Sequence, residues 1–176
     1  EEKKFGPVFI KSKGLNLKNK LIGIHPGASW PAKIWLEENF AKIADRLISE
    51  GKQVLLFGGP KDRTAVAKVS MFMKNKPVLA DNLPLREFMA VLTNCSCFVT
   101  NDNGPMHISV AMGVPTLGIF GSSNPAIWFP YKGQKAAYLK KYPECWPCSK
   151  DLCKDLRCMK MIKPDEVYKA IKKLCK

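Results

Sequence analysis

The chain has 176 residues, 46% of them hydrophobic, with 29 Lys and Arg against 15 Asp and Glu and a formal charge of +14. That length supports one good-sized core, and the ordinary apolar content excludes a disordered or fibrous chain. No run of about 18 apolar residues occurs, so no helix is expected to span a bilayer.

Residues 1–20 are polar and open without the apolar core of a signal sequence. They are expected to be a linker or interdomain segment, and the reducing cytoplasm is the default compartment for the seven cysteines. The lysines are dispersed along the chain, and the Arg-Gly and aromatic spacing of an RNA-reading sheet is missing. The basic surface therefore points to peripheral contact with an anionic membrane rather than to nucleic acid.

Strands and helices then alternate. Residues 21–25 read as a short apolar strand. Leu36, Phe40, Ile43, Ala44, Leu47 and Ile48 follow at helical spacing, with Gly51 as the stop. A second strand covers 53–57 and a helix about 62–73. A brief strand at 77–79 precedes a helix opened by Pro84 and carrying Leu85, Phe88, Met89 and Leu92. A strand at 97–100, a helix at 104–112 and a strand at 115–120 complete the rhythm. The pattern breaks over 121–160, which is rich in Pro, Gly, Trp and Cys, and a last helix covers 165–174. Apolar strands separated by helices predict an α/β fold, a Rossmann-like doubly wound parallel sheet over residues 21–176.

In such sheets ligands bind beyond the carboxyl ends of the strands. The unusual residues of this chain gather there, at 25–33, 58–62, 102–107 and 121–125. In the first loop Gly27 permits a tight turn, Ser29 offers a hydroxyl, and Lys33 is a point charge. A lysine just ahead of a helix has the wrong sign for the helix dipole, so Lys33 is expected to meet an anion. Trp30 and Trp35 are candidates to cover a ligand, with at least one of them in the core. Asp102 is either the helix N-cap or a direct ligand contact. Asn103 and Gly104 would present N–H groups to phosphate oxygens, Pro105 needs no donor in the first turn, and His107 leans back toward the same anion. Neither G-x-G-x-x-G nor G-x-x-x-x-G-K-[ST] is present, which argues against a nicotinamide enzyme or a P-loop NTPase.

These loops, taken with Phe57-Gly58-Gly59, Asn101-Asp102-Asn103-Gly104-Pro105-Met106-His107 and Gly118-Ile119-Phe120-Gly121 with Pro125, resemble the C-terminal, donor-binding half of the ADP-heptose:lipopolysaccharide heptosyltransferases. These are glycosyltransferase family 9, of GT-B architecture. The resemblance implies transfer of a heptose from a nucleoside-diphosphate sugar to a lipid-anchored core oligosaccharide. It implies that Ser29 and Lys33 contact the diphosphate, that Asp62 lies near the ribose, and that Leu83 lines the adenine pocket. Asp102, Asn103, Gly104, Pro105 and His107 would form the sugar-diphosphate cradle, with Asn103 standing where the family often has Thr. Lys33 would stabilise the departing diphosphate, with no cofactor and no metal, since no Asp-x-Asp pair is present. The resemblance also implies that the general base and acceptor site belong to an N-terminal domain, so residues 1–176 alone are expected to bind donor weakly and not to transfer sugar. Two other readings stand beside this one. A GT-B-like sugar-nucleotide epimerase would need paired carboxylates, for which only Asp62 and Asp102 offer themselves. A basic nucleic-acid-binding module would rest on the charge alone.

Cys145, Cys148, Cys153 and Cys158 fall within the Cys-rich loop at 142–160. A zinc or iron–sulfur site, disulfides and packed free thiols are all compatible with that spacing.

Overall fold

The computed structural model describes residues 2–130 and 135–175. Six parallel strands form one sheet: β1 (Leu21–His25), β2 (Gln53–Gly58), β3 (Val78–Asp81), β4 (Cys97–Asn101), β5 (Thr116–Phe120) and β6 (Ala136–Lys140), in the order β3-β2-β1-β4-β5-β6. This is the Rossmann order, which reverses between β1 and β4. All positions of β1, β4 and β5 are buried, as expected of strands covered on both faces.

The helices are α1 (Glu2–Ser12), α2 (Glu37–Ser49), α3 (Arg63–Phe72), α4 (Leu85–Leu92), α5 (Gly104–Ala111), α6 (Pro125–Trp128), α7 (Arg157–Met161) and α8 (Pro164–Leu174). Alternate strand residues sort the core into two layers. On one face Ile22, Ile24, Val54, Leu56, Val99 and Ile119 meet Phe40, Ile43 and Leu47 of α2 and Val167 and Ile171 of α8. On the other, Leu21, Leu55, Phe57 and Phe98 meet Ile10 of α1 and Val91 and Leu92 of α4. The doubly wound sheet expected from the strand pattern is therefore what forms.

The structure differs from the sequence reading in two segments. The segment expected as a linker is helical over Glu2–Ser12 and packed, with Ile10 fully buried and Phe5 and Phe9 against the same cluster. Spacing of i, i+4 and i+5 gives α1 an apolar stripe that the surrounding lysines, Gly6 and Pro7 obscure. Residues 121–160 also hold more structure than the break in pattern suggests. They carry α6, the edge strand β6 and the start of α7. β6 is half-exposed along its length, so its residues show neither a buried run nor a clean alternation.

Candidate functional site

The reversal of strand order puts the end of β1 beside the end of β4, with His25 in register with Thr100. The loops leaving both strands meet there, and Asn101 joins them. It is fully buried, accepts the Trp35 N–H on Oδ1 at 3.1 Å and donates from Nδ2 to the Pro26 carbonyl at 2.7 Å. Trp35 is the core tryptophan of this loop: it is fully buried, packs edge-on against Phe40, and donates its indole N–H to the Ile162 carbonyl at 3.0 Å.

Asn103, not Asp102, is the N-cap of α5, a correction to the first of the two roles weighed for Asp102. The Asn103 Oδ1 accepts the Met106 N–H at 3.0 Å and the Thr100 hydroxyl at 3.1 Å. Its Nδ2 donates to the Gly27 carbonyl at 2.8 Å and faces His25 Nδ1 at 3.1 Å. That leaves Nδ1 of His25 as the acceptor and puts the ring proton on Nε2, which is 3.3 Å from Asp62 Oδ2. Asp62 also accepts the Gly59 N–H at 2.9 Å. The His25 hydrogen bond, opposed by partial burial and helped by the electrostatic pull of the same ring and by the Gly59 amide, holds the Asp62 carboxyl below its ordinary 3.8. Gly27 is the residue this packing needs, because a Cβ there would lie 1.8 Å from Asp62 Oδ1.

Asp102 is 3% exposed and its Oδ2 lies 2.7 Å from Lys33 Nζ. Lys33 sits at the end of a 3₁₀ turn, Pro31–Lys33, four positions before α2 begins at Glu37. The anion it was expected to meet is thus supplied from within the chain. Its ammonium also lies 4.3 Å from the Trp30 ring centroid and 5.5 Å from that of Trp128. The contact is an ion pair without the geometry of a hydrogen bond to Asp102 Oδ2, and an ammonium can donate in three directions.

Two hollows share His25, Asp62 and Pro105 as walls. One, of about 270 Å³, is an apolar slot closed by Leu83, Phe88, Ala80 and Ile108. The other, of about 330 Å³, is polar and bordered by Ser29, Lys61, Asn103 and Gly104. A Cβ at Gly104 would meet nothing within 4 Å, so the start of α5 is open to a ligand. Ser29, Asp62, Leu83, Asn103, Gly104 and Pro105 therefore converge on one cleft, with the Lys33–Asp102 pair in the adjoining loops. His107 is exposed on α5 and lines neither hollow.

The chain matches the model of glycosyltransferase family 9 (heptosyltransferase) over residues 3–158. The chain belongs to glycosyltransferase family 9. It is 35% identical over 170 residues to lipooligosaccharide heptosyltransferase 2 of Campylobacter jejuni, covering 91% of this chain and 54% of that protein. The crystal structure of a glycosyl transferase family 9 protein from Veillonella parvula superposes with a TM-score of 0.86 at 31% identity, over 99% of this chain and 51% of the other. ADP-heptose lps heptosyltransferase II of E. coli superposes with a TM-score of 0.81 at 25% identity, over 98% and 51%. The chain spans about half the length of these family 9 relatives.

The sequence reading puts His25, Asn101 and Lys61 in its rim loops and motifs without a role of their own, and Trp128 lies outside both. The signal for the first two is a polar residue closing an otherwise apolar strand. Lys61 and Trp128 carry no such mark. In the Cys-rich loop the four thiols are unpaired, Cys145 exposed and the others half-buried. Burial pushes the Cys158 thiol up, against a nearby Lys140 that pulls it down. Among the described residues no group of three His, Cys, Asp or Glu is arranged to hold a metal ion.

Proposed function

We propose that this chain is the donor-binding half of a heptosyltransferase, holding an ADP-sugar of the ADP-heptose kind for transfer to the lipopolysaccharide core. The observation that carries the reading is the order of surfaces along the cleft. An apolar slot of about 270 Å³ shares its Asp62 wall with a polar hollow at the start of α5, and Lys33, four positions after the Ser29 that borders that hollow, is held in the adjoining loop by a buried carboxylate. A nucleoside diphosphate has that same order: base, ribose, then phosphates.

In this reading Leu83 packs on adenine and Asp62 lies at the ribose. Ser29 and the amides of Asn103 and Gly104 take the diphosphate, with Lys61 as a further cation and His107 at the rim. Lys33 is the catalytic group. As the glycosidic bond breaks, charge grows on the departing diphosphate, and a positioned ammonium stabilises it there. Asp102 keeps Lys33 in place. Asn103 lacks the hydroxyl of Thr and serves through its amide, which fixes α5 and the His25 tautomer. Asp62 and Asp102 are already engaged, by His25 and Gly59 and by Lys33. That weighs against an epimerase, which needs a free acid and base.

The general base and acceptor site belong, in this reading, to the half of the relatives that this chain does not match. The +14 charge suits peripheral work against an anionic membrane carrying a lipid-anchored acceptor, on the cytoplasmic face of the inner membrane. Calorimetric titration tests the proposal. ADP and ADP-heptose should bind competitively, UDP-sugars should not compete, and the 176-residue chain should not transfer heptose to a lipopolysaccharide-core acceptor. Failure to bind ADP, or steep salt-dependent binding of an oligonucleotide that ADP does not displace, overturns the donor-site reading. A robust transfer rate overturns the division of labour between the two halves.

A further inference from the structure

Among the described tryptophans the exposed pair is Trp30 and Trp128, at 37% and 50% of their surface. They come from different loops, one after β1 and one in α6 after β5, yet both rings stand beside the Lys33 ammonium, at 4.3 and 5.5 Å. The fold holds them there. Gly121 lets the loop after β5 close on Ala32, whose carbonyl would lie 2.4 Å from a Cβ at that glycine. Asn124 caps α6 by accepting the Ala126 N–H at 3.0 Å. Phe129, just past α6, packs in an aromatic cluster with Phe120 and Tyr138 at centroid distances of 6.0 and 4.9 Å.

We propose that Trp30 and Trp128 form a stacking platform for the pyranose ring carried by the donor. This rests on the donor-site reading above and adds the sugar subsite to it. The cleft has a direction. Its apolar slot lies toward β2 and β3, and the polar hollow with Ser29 is central. Trp30 follows Ser29 in the chain, and Trp128 lies on the β5 side. With the base in the slot and the diphosphate in the hollow, the group bonded to the second phosphate emerges at Lys33, between the two indoles. A pyranose presents one face of C–H bonds, apolar and slightly positive, which suits the negative face of an indole. Indoles left half in water beside a phosphate-binding lysine are placed for such a ring.

The test compares ADP with ADP-heptose on the wild-type chain and on Trp128→Ala, Trp30→Ala and Trp128→Phe. Both tryptophans are partly exposed, so the variants should fold. ADP affinity should stay within about twofold, while ADP-heptose affinity falls about tenfold in the alanine variants and is largely kept in Trp128→Phe. Tryptophan fluorescence should change with ADP-heptose beyond any change with ADP, and that extra change should disappear in Trp128→Ala. Variants that bind ADP-heptose as tightly as wild type, or that lose ADP and ADP-heptose equally, overturn the platform and leave the donor-site reading standing. The same fluorescence change on adding a free core oligosaccharide in place of ADP-heptose assigns the rings to the acceptor and overturns the donor assignment. A wild-type chain that binds neither nucleotide defeats the donor-site reading, and the platform with it.

Discussion

Two pairs, each built on a carboxylate, tie the loop after β1 to its neighbours, and they are built differently. His25–Asp62, at 3.3 Å, joins a ring nitrogen to a carboxylate that is still partly exposed. It belongs to a hydrogen-bonded frame with Gly59 and Asn103. Lys33–Asp102, at 2.7 Å, joins two full charges, with side chains 13% and 3% exposed, and aromatic rings stand around the lysine. The first pair gives a wall its shape. The second holds a cation in the loop beside the cleft, at a desolvation cost that its carboxylate partner and the neighbouring rings offset. The His25–Asp62 end is thus specified by shape and the Lys33–Asp102 end by charge.

The largest expected effect breaks the second pair. Lys33→Met leaves Asp102 buried without its counter-charge and should destabilise the chain by about 3 kcal/mol, read by urea denaturation. Adding Asp102→Asn should recover much of that loss, because the uncompensated charge is gone. ADP binding should stay weak in both, since neither restores the cation. Equal stability of Lys33→Met and wild type would mean that the pair is screened like a surface contact and that the contrast between the two ends is false.

The next effects lie in the frame. Asn101→Ala strips partners from the Trp35 amide and the Pro26 carbonyl, both in a buried region, and should cost about 2 kcal/mol. Asn103→Ala removes an N-cap and should cost about 1 kcal/mol. Asn103→Thr keeps a capping oxygen but loses the donor to Gly27 and His25, so it should fall between wild type and Asn103→Ala. Thermal denaturation of the three variants orders them. A cost for Asn103→Ala above that for Asn101→Ala would shift the weight of the frame from β4 to α5.

The same contrast runs through what the sequence made legible. β1, β4 and β5 stand out as apolar runs because every position is covered. The helical spacing in α2 stands out because one face alone is buried. Their loops, and with them Ser29, Lys33, Asp62 and residues 102–107, are therefore legible on one rim from pattern alone. What stayed hidden depends on partners distant in the chain. Asp102 and Asn103 are adjacent and equally able to cap a helix. Only the arrival of Lys33, 69 positions earlier, takes Asp102 and leaves the cap to Asn103. Trp128 shows no periodic signal because its helix is one turn long and is positioned by Gly121 and the Phe120–Phe129–Tyr138 cluster. β6 is recognisable only by the edge of β5 to which it pairs.

The smallest expected effect concerns the first pair and is a matter of pH. The folded chain holds the Asp62 carboxyl below its ordinary 3.8, chiefly through the His25 hydrogen bond. The folded state therefore binds protons less readily at this site than the unfolded chain does. Its contribution to stability is fully present above the ordinary carboxylate range and is lost as pH falls through the lowered value. Asp62→Asn keeps an oxygen that can accept from Gly59 and from His25 Nε2 but removes the charge. Wild type should therefore exceed the variant by less than about 1 kcal/mol at pH 7, as expected for a partly solvated pair. The two should converge in acid, once Asp62 is protonated. A gap that persists or widens in acid would show that shape, not charge, separates the two side chains. The His25–Asp62 contact would then be a neutral hydrogen bond in the frame, and the difference between the two ends of the cleft would be larger than these distances imply.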